Sequence, residues 1–179
     1  TVVRESAVGE WSVGFGIMAA SPSHTPHPTR GRGSLRDALS KRVVVADGAM
    51  GTMLQAADPS LDDFQGHEGC NEILNVTRPE LVASVHDAYF SVGVDCVETN
   101  TFGATRVAQA DYRMEDLAYE MNVASARLAK AACAKYSTPE QPRFAAGAFG
   151  PTPKTASISP DVNDPGARNV TFDELVVAY

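Results

Sequence analysis

Three valines stand in a row at residues 43–45, with no polar position between them, and the run ends at Asp47 before an apolar segment resumes at Met50. An uninterrupted β-branched run of that kind predicts a strand buried on both faces. Two further short apolar runs, at residues 94–97 and 143–149, predict a second and a third strand. Between them the period changes. Leu81, Val82, Val85, Ala88, Tyr89 and Val92 recur at helical spacing after Thr77-Arg78-Pro79-Glu80, which reads as a capping box with Pro in the first turn, and Gly93 stops the helix. His86 shares that apolar face and reads as a packed, hydrogen-bonded core histidine. A longer helical region spans residues 105–135 with a break near 111–113. Its second part has Leu117, Met121, Ala124, Leu128 and Ala131 as the buried stripe. Cys133 is expected to pack there as a small apolar residue.

The order is strand, long loop, helix, strand, helix, strand, which is a β/α alternation with parallel strands. The excursion at residues 55–76 and the loop at 153–169 are longer than simple connectors, and such loops commonly carry function. Ser34 begins a short helical lead-in. Thr171-Phe172-Asp173-Glu174 has the form of a capping box for a last helix that is cut after about two turns, so the sequence reads as part of a longer chain. Residues 1–33, dense in Pro, Ser, Thr and Gly from Ser21 onward, are expected to be a disordered or non-native extension, with Met18 a plausible start. Residues 34–179 form the domain.

Composition narrows the class. With 179 residues, 44% hydrophobic, 21% charged and a net charge of −7, the chain can bury a core and lacks the basic clusters that nucleic acid or an anionic membrane surface requires. No apolar run reaches the length of a spanning helix. Three widely spaced cysteines, Cys70, Cys96 and Cys133, point to a reducing cytoplasm rather than a disulfide framework. His67 and Cys70 have the spacing of a ligand pair, but two ligands do not make a metal site.

The three strands being parallel, their carboxyl ends should meet at one face of the sheet, where chemistry collects in such folds. That face would hold Asp47-Gly48-Ala49-Met50-Gly51-Thr52, Glu98-Thr99-Asn100-Thr101-Phe102 and Gly147-Ala148-Phe149-Gly150-Pro151-Thr152. It offers an acid, backbone N–H groups beside glycines, hydroxyls, an amide and aromatic rings, with no lysine or histidine at the turns and no phosphate loop. An amino-acid ligand suits the inventory: Asp47 for the ammonium, the amides of Gly48 and Ala49 for the carboxylate, Phe102 for the side chain. The alternative is that Thr99, Asn100 and Thr101 merely satisfy loop backbone groups.

These strand ends, together with Thr155-Ala156-Ser157-Ile158-Ser159-Pro160-Asp161-Val162-Asn163-Asp164-Pro165, resemble the amino-terminal homocysteine-binding module of the cobalamin-dependent methionine synthases. The resemblance runs from about Ser34 to Tyr179 and implies a partial (β/α)8 TIM barrel holding the first three β/α units. It implies methyl transfer from methylcobalamin, recharged by 5-methyltetrahydrofolate, to a homocysteine thiol that zinc keeps deprotonated. Folate- and cobalamin-binding modules would follow in the same chain, and the zinc cysteines would lie beyond Tyr179. Carried onto this sequence, Asp47 contacts the homocysteine amino group, Gly48 and Ala49 face its carboxylate, and Thr101 and Phe102 belong to the pocket wall; no catalytic or metal-binding residue falls within residues 1–179. A stand-alone homocysteine methyltransferase using betaine or S-methylmethionine shares the shorter motifs. A non-catalytic, incompletely folded barrel piece, with an open sheet edge, is the alternative of another class.

Overall fold

The computed structural model describes residues 34–48 and 50–179, together with the backbone of strand β1 (Val2–Val3). The remainder of the expected 1–33 extension, and Ala49, lie outside the described residues. After β1 come α1 (Leu35–Lys41), β2 (Val44–Val45), α2 (Met50–Ala56), a 3-10 turn at Asn71–Ile73, α3 (Leu74–Thr77), α4 (Pro79–Ser91) and β3 (Cys96–Glu98). Then follow α5 (Arg106–Gln109), two 3-10 turns, α6 (Ala118–Tyr136), β4 (Phe144–Ala146) and α7 (Phe172–Ala178).

The β/α alternation is present. β3 and β4 pair in parallel with Cys96 opposite Phe144, and a parallel bridge from Ala46 to Cys96 joins the end of β2 to β3. β1 pairs antiparallel with β2. The three parallel strands therefore point the same way, and their carboxyl ends share one edge. Cys96 and Val44 pack with Ala38 of α1, whereas Val97 packs with Phe90 of α4 and Ala129 and Ala132 of α6. The valine run is only partly the buried strand expected of it: Val44 is buried, but Val45 is 41% exposed.

The excursion between β2 and α4 is more than a loop. Phe64, Cys70, Ile73 and Leu74 bury themselves in the main core with Leu54, Val82, Val85 and Met121, at a gain of roughly 1.5–3 kcal/mol for each large side chain. Thr77 does not cap α4. Its hydroxyl donates to the Asp63 and Ile73 carbonyls, Arg78 occupies the N-cap without a side-chain bond, and Glu80 pairs with the Arg78 guanidinium. The residues before Arg78 are already helical, so Thr77 closes α3 instead of opening α4. At Thr171 both bonds of the capping box are made. The helix break falls at Arg113, in the left-handed region with φ 58°.

The buried stripe of α6 is Ala118, Met121, Ser125, Ala129 and Ala132, rotated about one position from the expected Leu117, Ala124, Leu128 and Ala131. Ser125 explains the shift, because its hydroxyl accepts the Asn100 N–H at 2.8 Å. His86 is fully buried as expected, but among the described residues neither ring nitrogen has a hydrogen-bond partner, which corrects the expectation that it is bonded. Burial holds its pKa below the ordinary histidine value, so it is packed neutral. No helix among the described residues is long and apolar enough to cross a membrane.

At the amino end of β3, Asp95 fastens the strands together. Arg42 donates to its two oxygens at 2.7 and 2.8 Å, and the Val45 N–H adds a third bond at 3.0 Å. Burial pushes the Asp95 carboxyl up. The Arg42 and Val45 hydrogen bonds, with the charges of Arg42 and Arg143, outweigh that and hold it below the usual carboxylate range. A carboxyl with a depressed folded pKa stabilises above its unfolded value and loses that contribution as pH falls through the folded one. Asp95→Asn is therefore expected to cost about 1.5–3 kcal/mol at neutral pH, as measured by urea unfolding. The deficit should shrink as the wild type is acidified through the carboxylate range.

Candidate functional site

Each strand end contributes to one cavity of about 330 Å³, lined by Asp47, Gly48, Met50 and Gly51 after β2, by Glu98 at the end of β3 with Thr99, Asn100 and Phe102 after it, and by Ala148 after β4. Asn71 and Glu72 of the 3-10 turn complete the wall. The face expected from the sequence thus exists, and it brings together Asp47, Gly48 and Phe102. Ala49 is outside the described residues. Asn71 and Glu72 had no local signal, since they reach the cavity only because the long excursion folds into the core.

Asp47 is 3% exposed, and both of its oxygens accept the Glu98 N–H, at 3.0 and 3.1 Å. Its own N–H donates to the Cys96 carbonyl at 3.0 Å. One residue thereby extends the β2–β3 pairing past the strand end. Burial pushes the Asp47 carboxyl up to about 6, partly offset by the Glu98 N–H. Among the described residues no hydrogen bond occupies the Gly48 N–H, which leaves that donor open beside the acid.

The β3 and β4 loops are tied by a closed circuit. The Ala148 N–H donates to the Thr99 hydroxyl at 3.0 Å, and the Thr101 hydroxyl donates to the Ala148 carbonyl at 2.8 Å. With the Thr101 proton so engaged, the 2.6 Å contact between the hydroxyls must run from Thr99 to Thr101. Thr101 itself lines a neighbouring cavity of about 260 Å³ with Asn122 and Tyr179. Asn100 donates to the Asn71 carbonyl at 2.8 Å, and its own carbonyl accepts from Asn75 at 2.7 Å. All three polar residues of this loop do serve backbone groups, while Thr99 and Asn100 also line the cavity.

Glycine sets the rim. A side chain at Gly150 would collide with the Phe102 carbonyl and lie 2.7 Å from its ring, and the Gly150 N–H donates to that carbonyl at 3.0 Å. One at Gly103 would lie 2.8 Å from the Glu72 carboxylate, and one at Gly51 would lie 3.2 Å from the Asn71 amide. Close approach of one segment to another, not positive φ, is what these three positions need.

Among the described residues no group of three or more His, Cys, Asp or Glu could hold a metal ion. Cys70 and Cys96 are buried and Cys133 partly so, and they belong to different packing clusters. Burial raises all three thiols, Cys96 to about 11, so none is a ready thiolate. Cys70 donates to Gln109 at 3.2 Å, and His67 stands edge-on to Tyr112, so the His67–Cys70 spacing is structural. Two larger cavities, of about 880 and 530 Å³, flank α7 and are walled mainly by apolar groups. Asp47 lines neither, although Phe102 lines the larger one as well as the Asp47 cavity.

Gly150→Ala is expected to displace Phe102 and open the rim, lowering the melting temperature and the affinity for any ligand of the Asp47 cavity. Overpacking of this sort costs about 1–3 kcal/mol. Ligand titration and thermal melting of the same variant check both effects.

Comparison with known proteins agrees with this geometry. Residues 44–179 match the family model described as homocysteine S-methyltransferase. The structure is similar to the homocysteine methyltransferase MmuM from Escherichia coli in its metallated form, with a TM-score of 0.54 and 30% identity, over 65% of this chain and 41% of that one. It is equally similar to the oxidized form of MmuM, again with a TM-score of 0.54 and 30% identity, over 65% of this chain and 40% of that one. The chain thus spans about two fifths of the length of these solved relatives. The matched strand ends are those that build the Asp47 cavity, and this chain belongs to the homocysteine S-methyltransferase family.

Proposed function

We propose that the Asp47 cavity binds the amino-acid end of homocysteine, and that the chain is the amino-terminal homocysteine-binding part of a cobalamin-dependent methionine synthase. The observation that carries the binding reading is the charge of the cavity. Among the described residues, Asp47, Glu72 and Glu98 line it, and no lysine, arginine or histidine does. A ligand with an ammonium group is the natural complement to such a wall, and the open Gly48 N–H beside Asp47 suits its carboxylate. Phe102 stands at the rim, 62% exposed, where the ligand's thioalkyl chain would pass.

The choice of a cobalamin-dependent enzyme is supported by the long stretch from Thr155 to Pro165, which resembles those enzymes over and above the shorter strand-end motifs. Zinc and cobalamin belong to this reading as cofactors of the whole protein, in a partial barrel that the rest of the protein would complete. The described residues supply no ligand set for either, and their share of the chemistry is to bind and orient the amino acid. A stand-alone methyltransferase with a sulfonium or betaine donor is the second reading, favoured by the likeness to MmuM.

Donor choice separates the two. Purified full-length protein is expected to methylate homocysteine from methylcobalamin and not from S-methylmethionine or betaine. The reverse pattern would remove the methionine synthase assignment while leaving the family intact.

Affinity should also depend on pH with a definite sign. In the free protein the Asp47 carboxyl stands near 6, above its ordinary value of 3.8, so an ammonium partner must lower it. Homocysteine binding, followed by calorimetry, is expected to tighten as pH rises through about 6 and to release protons below it. In Asp47→Asn that pH dependence should vanish and affinity should fall by at least about tenfold.

A further inference from the structure

The loop that follows β3 is gripped by two buried side chains from different helices. Ser125 of α6 is fully buried, and its hydroxyl accepts the Asn100 N–H at 2.8 Å. Asn75 of α3 is also buried, and its amide donates to the Asn100 carbonyl at 2.7 Å. Both backbone polar groups of one residue are thereby held. Asn122, three residues before Ser125, donates to the Ala104 carbonyl at 2.7 Å and holds the far end of the same loop.

Packing alone asks for neither side chain. The other buried positions of α6 are Ala118, Met121, Ala129 and Ala132, and an alanine would fill the place of Ser125 without its oxygen. A buried hydroxyl costs stability unless it is bonded, and the bond it makes is the one to Asn100. Asn75 carries a further cost. Its side-chain oxygen is buried with no partner among the described residues, and its second amide contact, to the Met121 carbonyl, is long at 3.4 Å. A core amide left half unsatisfied breaks a local rule, and such breaks concentrate at functional sites. What the satisfied half does is hold Asn100.

Asn100 lines the Asp47 cavity with its neighbours Thr99 and Phe102. Its side chain also donates to the carbonyl of Asn71, another residue of the cavity wall, at 2.8 Å. Ser125 and Asn75 do not line the cavity, so their effect on a ligand passes through the loop. We propose that Ser125 and Asn75 are positioning residues, which by clamping the N–H and carbonyl of Asn100 set where Thr99, Asn100 and Phe102 stand around the ligand. This inference rests on the amino-acid reading of the cavity for the identity of that ligand.

The test compares full-length wild type with Ser125→Ala, Asn75→Leu, the double variant and Ala129→Gly. The last is a control on the same helix, in the core cluster of Phe90 and Val97. Amide hydrogen exchange without ligand reads the loop, calorimetric titration with L-homocysteine reads the cavity, and thermal melting reads overall stability. Ser125→Ala and Asn75→Leu are each expected to speed exchange over residues 98–104 at least about tenfold and to weaken homocysteine binding at least about fivefold. Both free the same residue, so the double variant should weaken binding by less than the product of the single effects. Ala129→Gly should lower the melting temperature yet leave loop exchange and affinity within about twofold of wild type. The two positions lie on different helices, so if one variant fails to fold the other still decides. Affinity in the variants no weaker than in Ala129→Gly, or loop exchange at the wild-type rate, overturns the proposal alone. Wild type that binds no homocysteine overturns the amino-acid reading, and this proposal with it.

Discussion

A buried carboxylate holds the strand ends together. Asp47 sits where β2 stops, and both of its oxygens take the N–H of Glu98, the last residue of β3. A charge removed from water needs such a partner, and here the partner is the backbone of the neighbouring strand. The pairing registers the β2 and β3 loops against each other. The Thr99–Thr101–Ala148 circuit then registers β3 against β4, and the Gly150 N–H on the Phe102 carbonyl continues that pairing outward. The cavity exists because three loops are stitched beyond their strands, with Gly150 where the β4 loop meets Phe102 of the β3 loop.

The two ends of the sheet use carboxylates in opposite ways. Asp95, at the amino end of β3, faces Arg42 and Arg143 and is held ionised. Asp47, at the carboxyl end, accepts the Glu98 N–H and has no cationic side chain bonded to it among the described residues, and burial lifts it to about 6. The first fastens the fold. The second leaves an uncompensated negative charge facing an open cavity, which is the electrostatic state that a cationic ligand group relieves.

Local signals in the sequence transferred well and long-range ones did not. The β/α order, the Gly93 stop and the Thr171 capping box depend on neighbours a few residues away, and all are present. Thr77 carries the same box pattern, yet α3 is already helical up to it, so its hydroxyl goes to Ile73 and Asp63. Ser125 is polar and falls outside the apolar stripe expected of α6, because nothing near it in sequence shows that the Asn100 N–H needs an acceptor. The site divides in the same way. Asp47, Gly48 and Phe102 follow from parallel strands ending together, while Thr101 turns to its neighbour loop, and Asn71 and Glu72 arrive from a segment whose folding only the core dictates.

Membership of the homocysteine S-methyltransferase family and an acid-walled cavity at the strand ends lead to one central claim: the cavity holds the amino-acid end of homocysteine, with its ammonium on Asp47. A crystal structure of the full-length protein with L-homocysteine bound tests it most directly. The account predicts the ligand nitrogen within hydrogen-bond distance of the Asp47 carboxylate and the ligand carboxylate over the Gly48 N–H. A ligand seated with its carboxylate away from Gly48, or in the apolar cavities beside α7, would contradict it.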